Sequence, residues 1–228
     1  MKNAILTVSG GGALACIAAV LFVSGANAVP QKEAGPAGVG QVAVKKDVGT
    51  NPGAIRDGWP LKVGKNREVA MLSAGCFWGV EEWFRMQPGV VATAVGYAGG
   101  RVNNPTYQQV CYNNTGHAES VLVEFDTTKT SYAEILKAFW EWHNPTLVNR
   151  QGPDVGDQYR TAIWTFNQTQ VDTALKSRQR EQRNWNRPIA TTVKPAPRFW
   201  MAEEYHQQYD EKTGKKSCNP RTGIFIKN

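Results

Sequence analysis

Cysteine and histidine are scarce in this chain, with four cysteines and three histidines in 228 residues. The histidines, His117, His143 and His206, do not fall at metal-ligand spacing with the cysteines, so no zinc site is expected. No apolar run approaches the roughly 20 residues that a bilayer span requires, the nearest being Ala13 to Val23. Internal repeats and low-complexity blocks are also absent, in keeping with one domain plus extensions. A motif for nucleic acid is missing too. The formal net charge is +7, but the basic residues are scattered. Their densest group, Lys176, Arg178, Arg180 and Arg183, shares an apparent helix with Glu181 and reads as a solvated face.

What is present begins with an export signal. Lys2 gives a basic start, Leu14 to Val23 is mostly apolar, and Ala26-Asn27-Ala28 supplies an A-x-A cleavage site. Residues 1–28 are therefore expected to be a cleavable signal peptide, with the mature protein periplasmic or secreted. An uncleaved anchor, or lipid attachment at Cys16, is the weaker reading. Cleavage after Ala28 leaves Cys76, Cys111 and Cys218, an odd number that argues against a purely structural disulfide set. Residues 29–66 lack periodicity and read as a linker or extended arm, followed by one domain over 67–228.

In that domain strands and helices interleave. Glu68 to Ala74 reads as a strand, Phe77 to Met86 as a helix, and Val90 to Tyr97 as a second strand. Ala118 to Asp126 alternates, with Glu119, Val121, Val123 and Phe125 on one face and Ser120, Leu122 and Glu124 on the other. Ser131-x-x-Glu134 forms a capping-box pattern ahead of a helix that groups Tyr132, Ile135, Leu136, Phe139, Trp140 and His143 on one side, and Asn144-Pro145 stops it. Arg160 to Phe166 predicts a strand, Thr169 to Trp185 a polar-faced helix, and Ile189 to Val193 a last short strand before an irregular tail. The sum is an α+β fold with a mixed sheet and packed helices.

Gly75-Cys76-Phe77-Trp78-Gly79 sets a thiol at a strand-to-helix junction between large aromatic side chains. A helix N-terminus favours an anion, so a cysteine there has more thiolate character, although a buried structural cysteine would read the same way. Glu119 shares its strand face with apolar side chains. Desolvation would keep it protonated and able to act as a general acid, unless the strand starts at Ser120 and Glu119 points to water. Tyr107 and Tyr159 stand at loop edges where a phenolic O–H can meet a polar ligand or simply remain wet. Asp154 lies in the turn sequence Gly152-Pro153-Asp154-Val155-Gly156, where an aspartate ordinarily caps its own backbone. Cys218, in a basic tail with Lys215 and Lys216, suits a second thiol that travels to the first, or else a disulfide partner for Cys111.

Gly75-Cys76-Phe77-Trp78-Gly79, Asn104-Pro105-Thr106-Tyr107, Thr115-Gly116-His117-Ala118-Glu119, Arg150-Gln151-Gly152-Pro153-Asp154, Gln158-Tyr159-Arg160 and Glu204-Tyr205-His206-Gln207-Gln208-Tyr209 occur in that order. As a set they closely resemble the peptide methionine sulfoxide reductase A family. The resemblance implies a two-layer plait with a ferredoxin-like core, and reduction of the S epimer of methionine sulfoxide, free or in proteins. It makes Cys76 the nucleophile, Glu119 the proton donor, Tyr107 and Tyr159 hydrogen-bond donors to the sulfoxide oxygen, and Asp154 an ordering group. Phe77 and Trp78 become the wall that receives the substrate methyl. Cys218 becomes the resolving thiol, with a thioredoxin-like reductant as partner and no other cofactor. A monomer is the expectation for the oligomeric state, which no motif carries. Asp157 and Asn144 depart from the family's usual threonine and aspartate.

Two other function classes use the same residues. A noncatalytic module could capture oxidised methionine in the aromatic surface with Cys76 locked in a disulfide. A thiol peroxidase would share the cysteine and its sulfenic acid.

Overall fold

The computed structural model describes residues 61–215. The expected signal peptide, residues 29–60 of the expected arm, and Cys218 lie outside the described residues. Eight strands and five helices are described: β1 (Arg67–Ala74), α1 (Phe77–Arg85), β2 (Val90–Ala98), α2 (Tyr107–Tyr112), β3 (Ala118–Asp126), α3 (Tyr132–Trp142), β4 (Arg150–Gln151), β5 (Asp154–Val155), β6 (Thr161–Thr165), α4 (Gln168–Gln182), β7 (Thr192–Pro195), β8 (Phe199–Met201) and α5 (Tyr209–Thr213). Single 3-10 turns at Asp157–Tyr159 and Glu204–His206 complete them.

Six strands form one sheet in the order β7-β6-β1-β3-β2-β8, while β4 and β5 make a separate hairpin. Every neighbouring pair in the large sheet is antiparallel except β6–β7, so the sheet is mixed and the class is α+β. The register sets Leu72 of β1 opposite Val121 of β3, and Tyr97 of β2 opposite Glu119 of β3.

Alternation explains why the central strands lie in the middle. One face carries Ala70, Leu72, Val95, Tyr97, Val121, Val123 and Phe125, packed with Val80 and Phe84 of α1 and Ile135, Leu136 and Phe139 of α3. The opposite face carries Val69, Met71, Ala94, Leu122 and Trp164 in a second buried cluster. Each large aliphatic or aromatic side chain so buried contributes about 1.5–3 kcal/mol. The split of β3 follows the predicted alternation, and the strand begins at Ala118, not Ser120.

Local chemistry sets the helix ends. Ser131 Oγ accepts from Glu134 N at 3.3 Å to start α3, and Asn167 Oδ1 accepts from Gln170 N at 2.9 Å to start α4. Helix α4 buries only Gln170, Ala174 and Ser177, which fits its polar composition. The last predicted strand is shifted to Thr192–Pro195, where it pairs in parallel with β6. Helix α2, strand β8 and the β4–β5 hairpin were not predicted. Thr106 opens α2 with a full capping box, its side chain accepting from Gln109 N while Gln109 Oε1 accepts from Thr106 N.

Candidate active site

Strand β1 delivers the chain to Gly75, whose φ of +95° lies in the region L side chains rarely adopt. A Cβ there would meet Gln151 Cβ at 2.8 Å. Gln151 is buried and clasps Asn144 at both of its main-chain polar groups, donating to its carbonyl at 2.6 Å and accepting from its N–H at 3.2 Å. The turn therefore needs glycine for two reasons, and it leaves Cys76 as the half-buried N-cap residue of α1. Asn144 accepts from Thr146 N and Oγ1, which a carboxylate would do equally well, so this departure from the family pattern keeps its local turn.

The first N–H of α1 points to Glu119. Phe77 N donates to Glu119 Oε2 at 2.9 Å, across 42 residues of sequence. Glu119 is 1% exposed. Burial pushes its carboxyl up to about 8, the charge of Asp154 adds to the rise, and the bond from Phe77 N–H works against it. At neutral pH Glu119 therefore carries its proton, and the water-facing alternative is excluded. Asp154 sits half-buried on β5, brought there by the turn at Gly152-Pro153.

Tyr107 is the first residue of α2 and Tyr159 ends the 3-10 turn before β6. Burial, and next the charge of Glu119, raises both phenols far above their ordinary range, so both remain donors. Tyr159 also interacts electrostatically with Cys76, Cys111 and Asp154. Cys111, one turn after Tyr107 on α2, lies within hydrogen-bond reach of the Tyr107 hydroxyl. Cys76, Glu119, Tyr107, Tyr159 and Asp154, named from the sequence, thus converge. Asp157 lies beside Arg160, whose Nη1 donates to the Asp157 carbonyl at 2.9 Å while Nη2 reaches the Gly116 carbonyl at 2.9 Å.

Phe77 is buried among rings, its centroid 5.2 Å from His206, 5.9 Å from Tyr97, 6.3 Å from Trp78 and 6.5 Å from Tyr107. Trp78 is half-buried. Its indole N–H donates to His206 Nδ1 at 2.9 Å, and its ring stacks on Tyr209 at 3.9 Å and 12°. Burial lowers His206 to about 4, with the Glu203 charge opposing, so the ring is neutral. Because Nδ1 accepts from Trp78, the proton sits on Nε2, which faces Glu203 Oε2 at 3.9 Å.

Sequence reasoning assigned no role to His206, Tyr209, Glu203 or Tyr97. Glu203 joins two parts of the site, accepting from Tyr107 N at 2.9 Å and from the Tyr97 hydroxyl at 3.0 Å. The signal for His206 and Tyr209 was in the segment Glu204 to Tyr209, which carried the resemblance without an assigned chemistry. His117, in turn, is a loop brace: Nδ1 accepts from Gly100 N at 3.2 Å and Nε2 donates to the Val102 carbonyl at 2.7 Å.

Known proteins share this sequence and architecture. A family model described as Peptide methionine sulfoxide reductase matches residues 68–227. Peptide methionine sulfoxide reductase MsrA of Methanoculleus marisnigri is 51% identical over 156 residues, covering 68% of this chain and 95% of that protein. The MsrA of Geobacter sulfurreducens is 51% identical over 153 residues, covering 66% and 94%. Among solved structures, Mxr1 of Saccharomyces cerevisiae in its reduced form aligns with a TM-score of 0.66 at 32% identity, covering 70% of this chain and 93% of that one. Methionine sulfoxide reductase A of Corynebacterium diphtheriae aligns with a TM-score of 0.63 at 36% identity, covering 68% and 79%. With its cysteine at a helix start and its protonated acid beside it, the chain belongs to the peptide methionine sulfoxide reductase family and is an enzyme of that class.

Proposed function

We propose that the protein reduces the S epimer of methionine sulfoxide, free and in polypeptides, by a thiol mechanism centred on Cys76. The observation that carries this reading is the buried Glu119 held at 2.9 Å by the N–H of Phe77, the residue after Cys76, where burial pushes its carboxyl up to about 8. A sulfoxide oxygen leaves only once it gains a proton, so an acid with its proton beside a nucleophilic sulfur is the required pair. Cys76 attacks the substrate sulfur while Glu119 protonates the oxygen, with Tyr107 and Tyr159 donating hydrogen bonds to it. Asp154 sustains the protonated state of Glu119 through its charge. Phe77 and Trp78 receive the substrate methyl against an apolar surface.

The oxygen ends on Cys76 as a sulfenic acid, two electrons have passed to the substrate sulfur, and methionine departs. The Cys218 thiol then attacks the Cys76 sulfur, forming a disulfide and releasing water. A thioredoxin-like dithiol reduces that disulfide, and no further cofactor is required. Export through the signal peptide sets this repair of oxidised proteins in the periplasm or outside the cell, with the enzyme acting as a monomer. The order β6-β1-β3-β2, antiparallel throughout, with α1 and α3 as its crossovers, supports reading the core as a ferredoxin-like two-layer plait.

The test is consumption of each purified sulfoxide epimer with dithiothreitol as reductant. Selective loss of the S epimer that disappears in Cys76→Ser is expected. Consumption of the R epimer alone, or equal activity in Cys76→Ser, contradicts the reading.

A further inference from the structure

Helix α1 carries a second buried acid, Glu81, which the mechanism does not use. Glu81 is fully buried, and both its oxygens are occupied. Oε1 accepts from Thr93 Oγ1 at 2.9 Å, and Oε2 accepts from Gln208 N at 2.7 Å, across 127 residues of sequence. Gln208 has φ of +52° and ψ of 43°, the left-handed conformation, which an L side chain adopts only at an energetic cost. Such a conformation persists only where its surroundings impose it. The next residue is Tyr209, whose ring lies flat on Trp78.

The neighbouring residues are fixed as well. Gln207 is buried, accepting from Val95 N at 2.9 Å and donating to the carbonyls of Val95 and Ala202, each at 2.9 Å. One turn beyond Glu81, Arg85 is also buried and pairs with Glu211 of α5. Arg85 Nε and Nη1 have no hydrogen-bond partner among the described residues, and the guanidinium is offset by Glu211 in close contact at Nη2 and by Glu82 at 4.0 Å from Nη1. Two side chains one turn apart on α1 thus grip α5 before and after Tyr209. The same helix presents Trp78 to that tyrosine.

We propose that Glu81, assisted by the Arg85–Glu211 pair, is a positioning residue of the methyl-binding wall. By holding Gln208 in its left-handed turn it seats Tyr209 on Trp78, and its loss weakens substrate binding without disabling Cys76. This inference rests on the assignment of Trp78 to substrate methyl binding.

The experiment is steady-state kinetics on S-methionine sulfoxide with dithiothreitol, for wild type, Glu81→Ala, Glu81→Gln, Glu211→Gln, Tyr209→Ala and the Glu81→Ala/Tyr209→Ala pair. Glu81→Ala is expected to raise KM about tenfold, the size of effect that a lost apolar contact produces, with kcat little changed. Glu81→Gln retains an acceptor for Gln208 N and is expected to stay near wild-type KM. The double variant is expected to match Tyr209→Ala alone, because Glu81 acts through Tyr209. Glu211→Gln alters an exposed side chain; should Glu81→Ala fail to fold, its smaller rise in KM, compared with a Glu211→Gln/Tyr209→Ala double variant in which that rise is expected to be absent, decides the matter. An active wild type whose KM is indifferent to these changes, or a Glu81 effect that persists undiminished without Tyr209, overturns the inference alone. An inactive wild type overturns the reductase reading and this inference with it.

Discussion

The main-chain N–H of Phe77 donates to Oε2 of Glu119 at 2.9 Å, tying the first turn of α1 to the start of β3. The N–H that a helix start would ordinarily offer to the Cys76 sulfur is thereby engaged by a carboxyl group. Nucleophile and acid are held in one frame, since Phe77 follows Cys76 directly. Replacing Glu119 with Gln keeps an acceptor for Phe77 N–H and removes the transferable proton. The expected result is a loss of about 10²–10⁴ in kcat/KM with S-methionine sulfoxide, the range for one general acid, with thermal stability preserved or increased.

The same carboxyl defines a pH dependence. Glu119 is pushed up to about 8 by burial and then by Asp154, so kcat/KM for sulfoxide reduction is expected to fall as pH rises through about 8. Asp154→Asn removes the neighbouring charge and should move that descending limb to lower pH. A profile measured with dithiothreitol checks both. A limb unmoved by Asp154→Asn contradicts the electrostatic assignment.

Stability has its own pH signature. Burial raises Glu119 to about 8 and Glu81 to about 7 from 4.5, and lowers His143 and His206 to about 4 from 6.5. Between pH 4.5 and 8 the folded chain retains carboxyl protons that the unfolded chain has released, so this contribution falls as pH rises. The histidines work oppositely between 4 and 6.5, where the unfolded chain binds protons first. From pH 6.5 to 8 these acids no longer have the histidines opposing them. Tm is therefore expected to decline across that interval, and Glu119→Gln should reduce the decline.

Gly75 is a stringent position. Its φ of +95° and the 2.8 Å approach of Gln151 Cβ leave no room for a methyl group. Gly75→Ala is expected to cost about 1–3 kcal/mol in urea unfolding and to impair turnover by displacing Cys76.

Cys111 and Cys218 can be separated by reductant. With thioredoxin as the sole electron donor, Cys218→Ser is expected to stop after one turnover while Cys111→Ser continues. With dithiothreitol, both should cycle. The reverse pattern would make Cys111, beside Tyr107 on α2, the resolving thiol.

The sequence made some of these relationships legible and concealed others. Period-two alternation placed Glu119 with Val121, Val123 and Phe125 because that face of β3 packs into the larger core, while Ser120, Leu122 and Glu124 take the other face. The aromatic and acidic residues around Cys76 were recognisable from their ordered motifs. Helix α2 is six residues long with one buried side chain, Val110, so it has no apolar period to read; its Thr106–Gln109 capping box was the available signal. Strand β8 is three residues at a sheet edge. The Trp78–His206 and Glu81–Gln208 bonds join residues 128 and 127 apart, and no local pattern encodes them. They arise from tertiary packing of the chain after β8 against α1 and β2.

The most direct measurement mixes one equivalent of S-methionine sulfoxide with the reduced Cys111→Ser/Cys218→Ser protein and follows released methionine together with the mass of the Cys76 peptide. One methionine per protein, matched by one added oxygen atom on Cys76 that dimedone traps as a sulfenic acid, is the predicted result. Methionine release with Cys76 unmodified, or equal release from a protein that also carries Cys76→Ser, would contradict oxygen transfer to this thiol.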